Sequence, residues 1–99
     1  MIIYTPCSDS SEAKRIATKL ISEKLVACAN YFPIKSIFPW EGSVTEDDEI
    51  ALVVKTTESK RQMVESRIKD MHSYETPAIV SINAMFNGEY SDWVEQTLK

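Results

Sequence analysis

The chain is poor in the residues that build the common small-domain sites. It has two glycines, Gly42 and Gly88, in 99 residues. Phosphate-cradling loops and dinucleotide fingerprints need several glycines in one turn, so both are excluded. It has two cysteines, Cys7 and Cys28, too few for a disulfide scaffold and without a Cys-x-x-Cys pair. There is one histidine, His72. No uninterrupted apolar run is longer than Ile50 to Val54, which is far too short to span a bilayer. No charged n-region precedes an apolar h-region, so no signal peptide is expected, and the protein is expected to be soluble and cytoplasmic. Cations are outnumbered. The net charge is −4, with Glu46-Asp47-Asp48-Glu49 as the densest acidic run. That balance opposes nucleic acid, whose phosphates need Lys and Arg, and anionic membrane surfaces, and it suits a cation as partner.

What is present reads as one domain over 1–99 with enough apolar residues for a core. Met1 to Thr5 is strand-like, and Pro6 is expected to end it. Asp9 and Glu12 have the spacing of a capping box, opening a helix over about 10–24. Its apolar stripe is Ala13, Ile16, Ala17, Leu20 and Ile21. Leu25 to Trp40 alternates, with Val26, Cys28, Phe32, Ile34, Phe38 and Trp40 on one face. Pro33 and Pro39 cannot donate to a ladder and mark an edge or a bulge. Trp40 to Ser43 reads as a turn, Glu49 to Thr57 as the return strand, and Glu46 to Glu49 as a solvated hairpin tip. A second helix follows over about 58–71, then a strand over about 78–84. A last helix carries Tyr90, Trp93, Val94, Thr97 and Leu98 on one face. The order is β-α-β-β-α-β plus a C-terminal helix. That is an α+β, ferredoxin-like sandwich: a four-stranded antiparallel sheet with two helices on one face and one long hairpin.

Length then bears on assembly. Sixteen extended residues reach roughly 50 Å, whereas a compact domain of this size is only about 33 Å across. The hairpin should overshoot its own domain and carry Ile34, Ile37, Phe38 and Trp40 with it. Pairing with another copy is the simplest cover for such a patch.

The residues also form a recognisable series. It comprises Leu25-Val26-Ala27-Cys28-Ala29-Asn30, Ser36 with Trp40-x-Gly42, Glu49 with Lys55-Thr56, His72-x-Tyr74-Glu75-x-Pro77, and Tyr90-x-x-Trp93. Over essentially its full length the chain resembles the CutA family of divalent-cation tolerance proteins. The resemblance implies a homotrimer associated with copper and other divalent metals, with no obligatory cofactor and no catalysis. Carried over by position, it places Cys28, Trp40, Lys55, His72, Tyr74 and Glu75 in clefts between subunits. Three positions depart from the family pattern: Ser73 where proline is usual, Phe38 where tyrosine is common, and Ser91 after Tyr90.

Each candidate has a plainer reading. His72 with Glu75 is an imidazole-carboxylate pair fit for Cu(II) or Zn(II); it is equally a histidine at a helix C-terminus. Cys28 is a soft metal ligand or, more simply, a small core hydrophobe. Cys7 is an ordinary loop thiol unless the helix dipole activates it. Lys55 presents a charge to an anionic ligand or protects a sheet edge. Trp40 is an anchor for assembly before it is a ligand platform. Beside a metal-binding trimer stand a small-ligand module of the PII signalling type, a Cys-His enzyme, and a scaffold.

Overall fold

The computed structural model describes residues 1–99. Its elements are β1 (Ile2–Cys7), α1 (Ser10–Ser22), β2 (Cys28–Trp40), β3 (Ser43–Lys55), a 3-10 turn (Glu58–Lys60), α2 (Arg61–Met71), β4 (Val80–Ile82) and α3 (Gly88–Thr97). The strands form one sheet in the order β2-β3-β1-β4, every neighbouring pair antiparallel. This is the ferredoxin-like arrangement.

Alternation assigns the two faces of the sheet. Ile3, Thr5 and Cys7 on β1 and Leu52 and Val54 on β3 point toward the helices. They pack with Ala13, Ile16, Ala17 and Leu20 of α1, Val64 and Ile68 of α2, and Val26. Thr5 is the polar member, and its buried hydroxyl has no hydrogen-bond partner. The other face carries Tyr4, Val53, Phe32, Val80 and Ile82, of which Phe32, Val80 and Ile82 stay about half exposed. α3 covers one end of the molecule, burying Val94 and Leu98 against Ala27 with Phe86 and Tyr90 alongside.

The hairpin is unbroken: β2 begins at Cys28 and not at Leu25, and the return strand is longer than expected. β2 and β3 pair continuously from Cys28↔Lys55 to Trp40↔Ser43. The return strand starts at Ser43, not at Glu49. The acidic run is therefore not the tip: it lies inside β3, opposite Ile34 to Ile37. Glu41 and Gly42 make the tip, at φ 50° and 80°. Positive φ at both central residues is what the type I′ two-residue hairpin turn requires. Glycine adopts it without a clash, whereas at Glu41 the Cβ makes it unfavourable. The molecule measures 46 × 24 × 21 Å, so the arm overshoots the body. Along it Ile37 (69%), Trp40 (62%) and Val44 (82%) remain exposed. Pro33 and Pro39 sit on β2, the sheet's edge strand, and cause no bulge.

Other boundaries shift for identifiable reasons. Pro6 does not end β1; it pairs with Ala51. In a strand the N and C=O of one residue point the same way, and the Pro6 carbonyl faces His72. The missing N–H is thus on the side away from β3, where β4 has already stopped at the Tyr4↔Val80 pair. β4 is only three residues long, Val80–Ile82, where a strand over about 78–84 was expected. α1 stops at Ser22, with Lys24 at φ 58° turning the chain out, and Ile21 falls at the exposed margin of the stripe.

Candidate functional site

The sequence-predicted residues separate into two groups within one chain. The first gathers where the turn after α2 meets the hairpin arm. Phe38, Trp40, Thr45, Asp47, Glu49, Tyr74, Glu75 and Thr76 line a cleft of about 560 Å³. Three carboxylates and three aromatic rings face it, and no cationic side chain does. The Tyr74 hydroxyl donates to Glu49 Oε2 at 2.6 Å, fastening turn to arm. Burial, then the Glu49 carboxylate, pushes the phenol well above its ordinary pKa.

His72 stands behind this cleft, with its ring 4.8 Å from that of Tyr74. Its backbone N–H closes α2 on the Ile68 carbonyl, but its imidazole caps no helix. One ring nitrogen, Nε2, lies 2.8 Å from the Pro6 carbonyl, and Nδ1 lies 3.2 Å from the Tyr74 backbone N–H. A carbonyl can only accept and an amide N–H can only donate. The partners therefore fix a neutral imidazole with the proton on Nε2 and the lone pair on Nδ1.

Two further residues crowd His72. Sulfur, carboxylate and imidazole ligand atoms of Cys7, Glu12 and His72 lie within 4.8 Å of one another. Glu12 is the N3 residue of α1, where Asp9 accepts its N–H at 2.8 Å as foreseen. Its carboxylate accepts from the Ser8 N–H (2.9 Å), the Ser8 hydroxyl (3.2 Å) and the Ser73 N–H (2.8 Å). Burial opposes its ionisation, yet these donors outweigh burial and hold its pKa below the usual range. Cys7 is not a loop thiol. It ends β1 fully buried, and burial, with the Glu12 carboxylate next, pushes its pKa up to about 12. That overturns the dipole-activated thiolate. The trio was hidden in the sequence because Glu12 reads as a cap; the capping spacing located it without revealing that it is 5% exposed.

The second group sits at the opposite end of the sheet. Cys28 pairs with Lys55 across β2 and β3, on the open face. The Lys55 ammonium lies 5.5 Å from the centre of the Tyr90 ring, which stacks on Trp93 at 5.5 Å. Partial burial, and then the Cys28 thiol beside it, raise the Tyr90 pKa. Lys55 protects no edge, since β3 is an inner strand. Cys28 is half-buried and outside both apolar clusters, so it is not a core hydrophobe. The Cys28↔Lys55 row and the Ala51↔Pro6 row are four residues apart on β3, roughly 13 Å along the strand. A single chain does not bring Cys28 to His72, and no Cys28-His72 catalytic pair forms within it.

Comparison with known proteins decides the family. Residues 1–97 match the family described as CutA1 divalent ion tolerance protein. The chain belongs to that family. A relative from Archaeoglobus fulgidus, the divalent-cation tolerance protein CutA, is 43% identical, covering 98% of this chain and 96% of that one. A solved structure described as the periplasmic divalent cation tolerance protein CutA of the same organism superposes with a TM-score of 0.88 at 41% identity, over 99% of this chain and 97% of the other. The PII-like protein CutA from Nostoc sp. PCC 7120 also gives 0.88, at 31% identity and 99% and 96% coverage. No helix of this CutA1 family member is long and apolar enough to cross a membrane.

Proposed function

We propose that this chain works as a cytoplasmic homotrimer that binds divalent cations, copper first, and carries no catalytic activity. The observation behind this reading is the cleft at the base of the arm. Asp47, Glu49 and Glu75 line it, no Lys or Arg answers them, and Trp40 and Tyr74 wall it. An uncompensated set of carboxylates attracts a cation. Glu75 is the ligand that lines this cleft; His72, directly behind it, joins as a ligand when Nδ1 is released from the Tyr74 N–H. Cys28 and Lys55, at the far end of the same sheet, join such a cleft only from a neighbouring copy, so the full set belongs to a seam between subunits. The exposed arm and open sheet face supply the surface for those seams.

Calorimetric titration of Cu(II) into wild type, His72→Ala, Glu75→Gln and Cys28→Ala tests this. Weakened binding in each variant is expected. Binding unchanged in all three removes the seam site. A second reading is a PII-type module taking a small ligand in the same clefts. The superposition on the PII-like Nostoc protein supports it, and the want of a glycine-rich loop opposes a nucleotide. A thermal-shift screen of metabolites without a hit counts against it.

A further inference from the structure

We propose that the groove between α1 and α2 binds an extended acidic peptide segment of a partner protein. The inference is independent of the cation reading and uses the helix layer, away from the open sheet face. The groove is about 710 Å³. Lys14, Arg15 and Lys19 line it from α1 and Arg67 from α2, and no carboxylate lines it. The chain has 15 Asp and Glu against 11 Lys and Arg, so four cations on one such surface run against its overall balance. An ordinary solvated helix face mixes signs, as α2 does where Arg61 pairs with Glu65 at i, i+4. Here Arg15 and Lys19 place like charges at that spacing, which weakens a helix.

The arginines are preorganised. Glu23 holds Arg67, whose Nε and Nη2 each donate to it at 2.9 Å. Arg15 Nη2 donates to the Met71 carbonyl, the last of α2, at 3.1 Å. In both guanidiniums Nη1 makes no hydrogen bond, so each fork is fixed along one edge with donors left over. Fixed guanidinium donors suit carboxylates, which accept them in one plane. Glu23 and Glu12 offset the arginine charge from outside the lining. Lys14 and Lys19 have no ion-pair partner, so the attraction falls chiefly to them.

Spacing selects the occupant. Ser11, Arg15, Thr18 and Ser22 follow at one-turn steps along α1, a track of about 16 Å at about 1.5 Å per residue. That track holds about five residues of extended peptide, whose alternate side chains recur about every 6.6 Å, near the helical pitch of about 5.4 Å. Carboxylates on alternate residues thus meet cations and hydroxyls turn by turn. Met71 is the one apolar residue of the lining, beside Arg15, and offers contact to an apolar side chain at the end of the peptide. An inorganic polyphosphate packs its charges more closely and has nothing to place on Met71.

Fluorescence anisotropy tests this, with a fluorescein-labelled peptide of alternating glutamate and serine that ends in leucine. Wild type is expected to bind it, less tightly as salt rises, and to bind the glutamine version at least about ten-fold less well. Lys14→Glu combined with Lys19→Glu should weaken binding at least about ten-fold, because two attractions become repulsions. Lys69→Glu with Lys99→Glu makes the same change in net charge outside the groove and should leave the affinity within about two-fold. Should the first pair lose the wild-type circular dichroism spectrum, Lys14→Gln with Lys19→Gln replaces it, with a loss of about three-fold or more expected. Equal losses in the groove pair and the control pair reduce the effect to net charge and overturn the groove. So does a wild type that does not bind the peptide, or binds the glutamine version equally well. Inorganic polyphosphate that binds wild type more tightly than the peptide, and is lost with Lys14 and Lys19, overturns the peptide as occupant.

Discussion

Trp40 is the residue on which the assembly is most simply tested. It sits at the end of the arm, 62% exposed in the single chain. Tryptophan buries up to about 250 Å², so covering what is exposed here removes about 150 Å² from water, worth about 4 kcal/mol at ~25 cal/mol per Å². Alanine retains about a quarter of that, so Trp40→Ala should cost about 3 kcal/mol per copy. Three equivalent seams make about 9 kcal/mol for a trimer, or about 10⁶- to 10⁷-fold in its association constant. Because three chains meet in that equilibrium, the midpoint concentration moves as the square root, about 10³-fold. The core between the sheet and the helices does not include Trp40, so the circular dichroism spectrum should stay the same. Sedimentation velocity over a dilution series measures the midpoint. A wild type that sediments as one folded chain at micromolar concentration refutes the reasoning, and so does a Trp40→Ala midpoint within ten-fold of wild type.

The buried polar groups yield further tests. Glu12→Ala should lower stability at pH 7 by about 1–3 kcal/mol, because the Ser8 and Ser73 donors lose a charged acceptor. The folded pKa of Glu12 lies below its ordinary value of 4.5. Its ionised form therefore adds stability that is complete above that value and is lost as pH falls through the folded pKa. Urea unfolding at pH 7 and pH 3 should show the gap between wild type and Glu12→Ala narrowing in acid; a gap independent of pH contradicts the account. Thr5→Val removes a buried hydroxyl that has no partner and should raise stability by up to about 1 kcal/mol. A loss above 1 kcal/mol in the same assay would show that the hydroxyl is satisfied.

Periodicity carried most of the fold. Ala13, Ile16, Ala17 and Leu20 repeat at helical spacing and do pack on the sheet, and the alternation after Leu25 does mark a strand. Boundaries were less legible where proline was read without its neighbours. Pro6 looks like a terminator until the end of β4 shows that its missing donor had no acceptor to meet. The acidic run looks like a tip because charge suggests solvent, yet an exposed arm lets a strand be charged as well. The candidate site was legible by residue type and illegible by distance. Trp40, Tyr74 and Glu75 converge because one turn returns to the arm. The separation of Cys28 from His72, and the approach of Cys7 to it, depend on strand order, which no local pattern encodes.

The unbroken ladder from Cys28↔Lys55 to Trp40↔Ser43 also restricts how this arm can change length. Insertion of one residue in β2 would turn every side chain beyond it to the opposite side, carrying Trp40 away from Tyr74. Descendants or redesigns of the arm must therefore grow or shrink in pairs, two residues on each strand at a time. Reach is adjustable only in steps of about 7 Å.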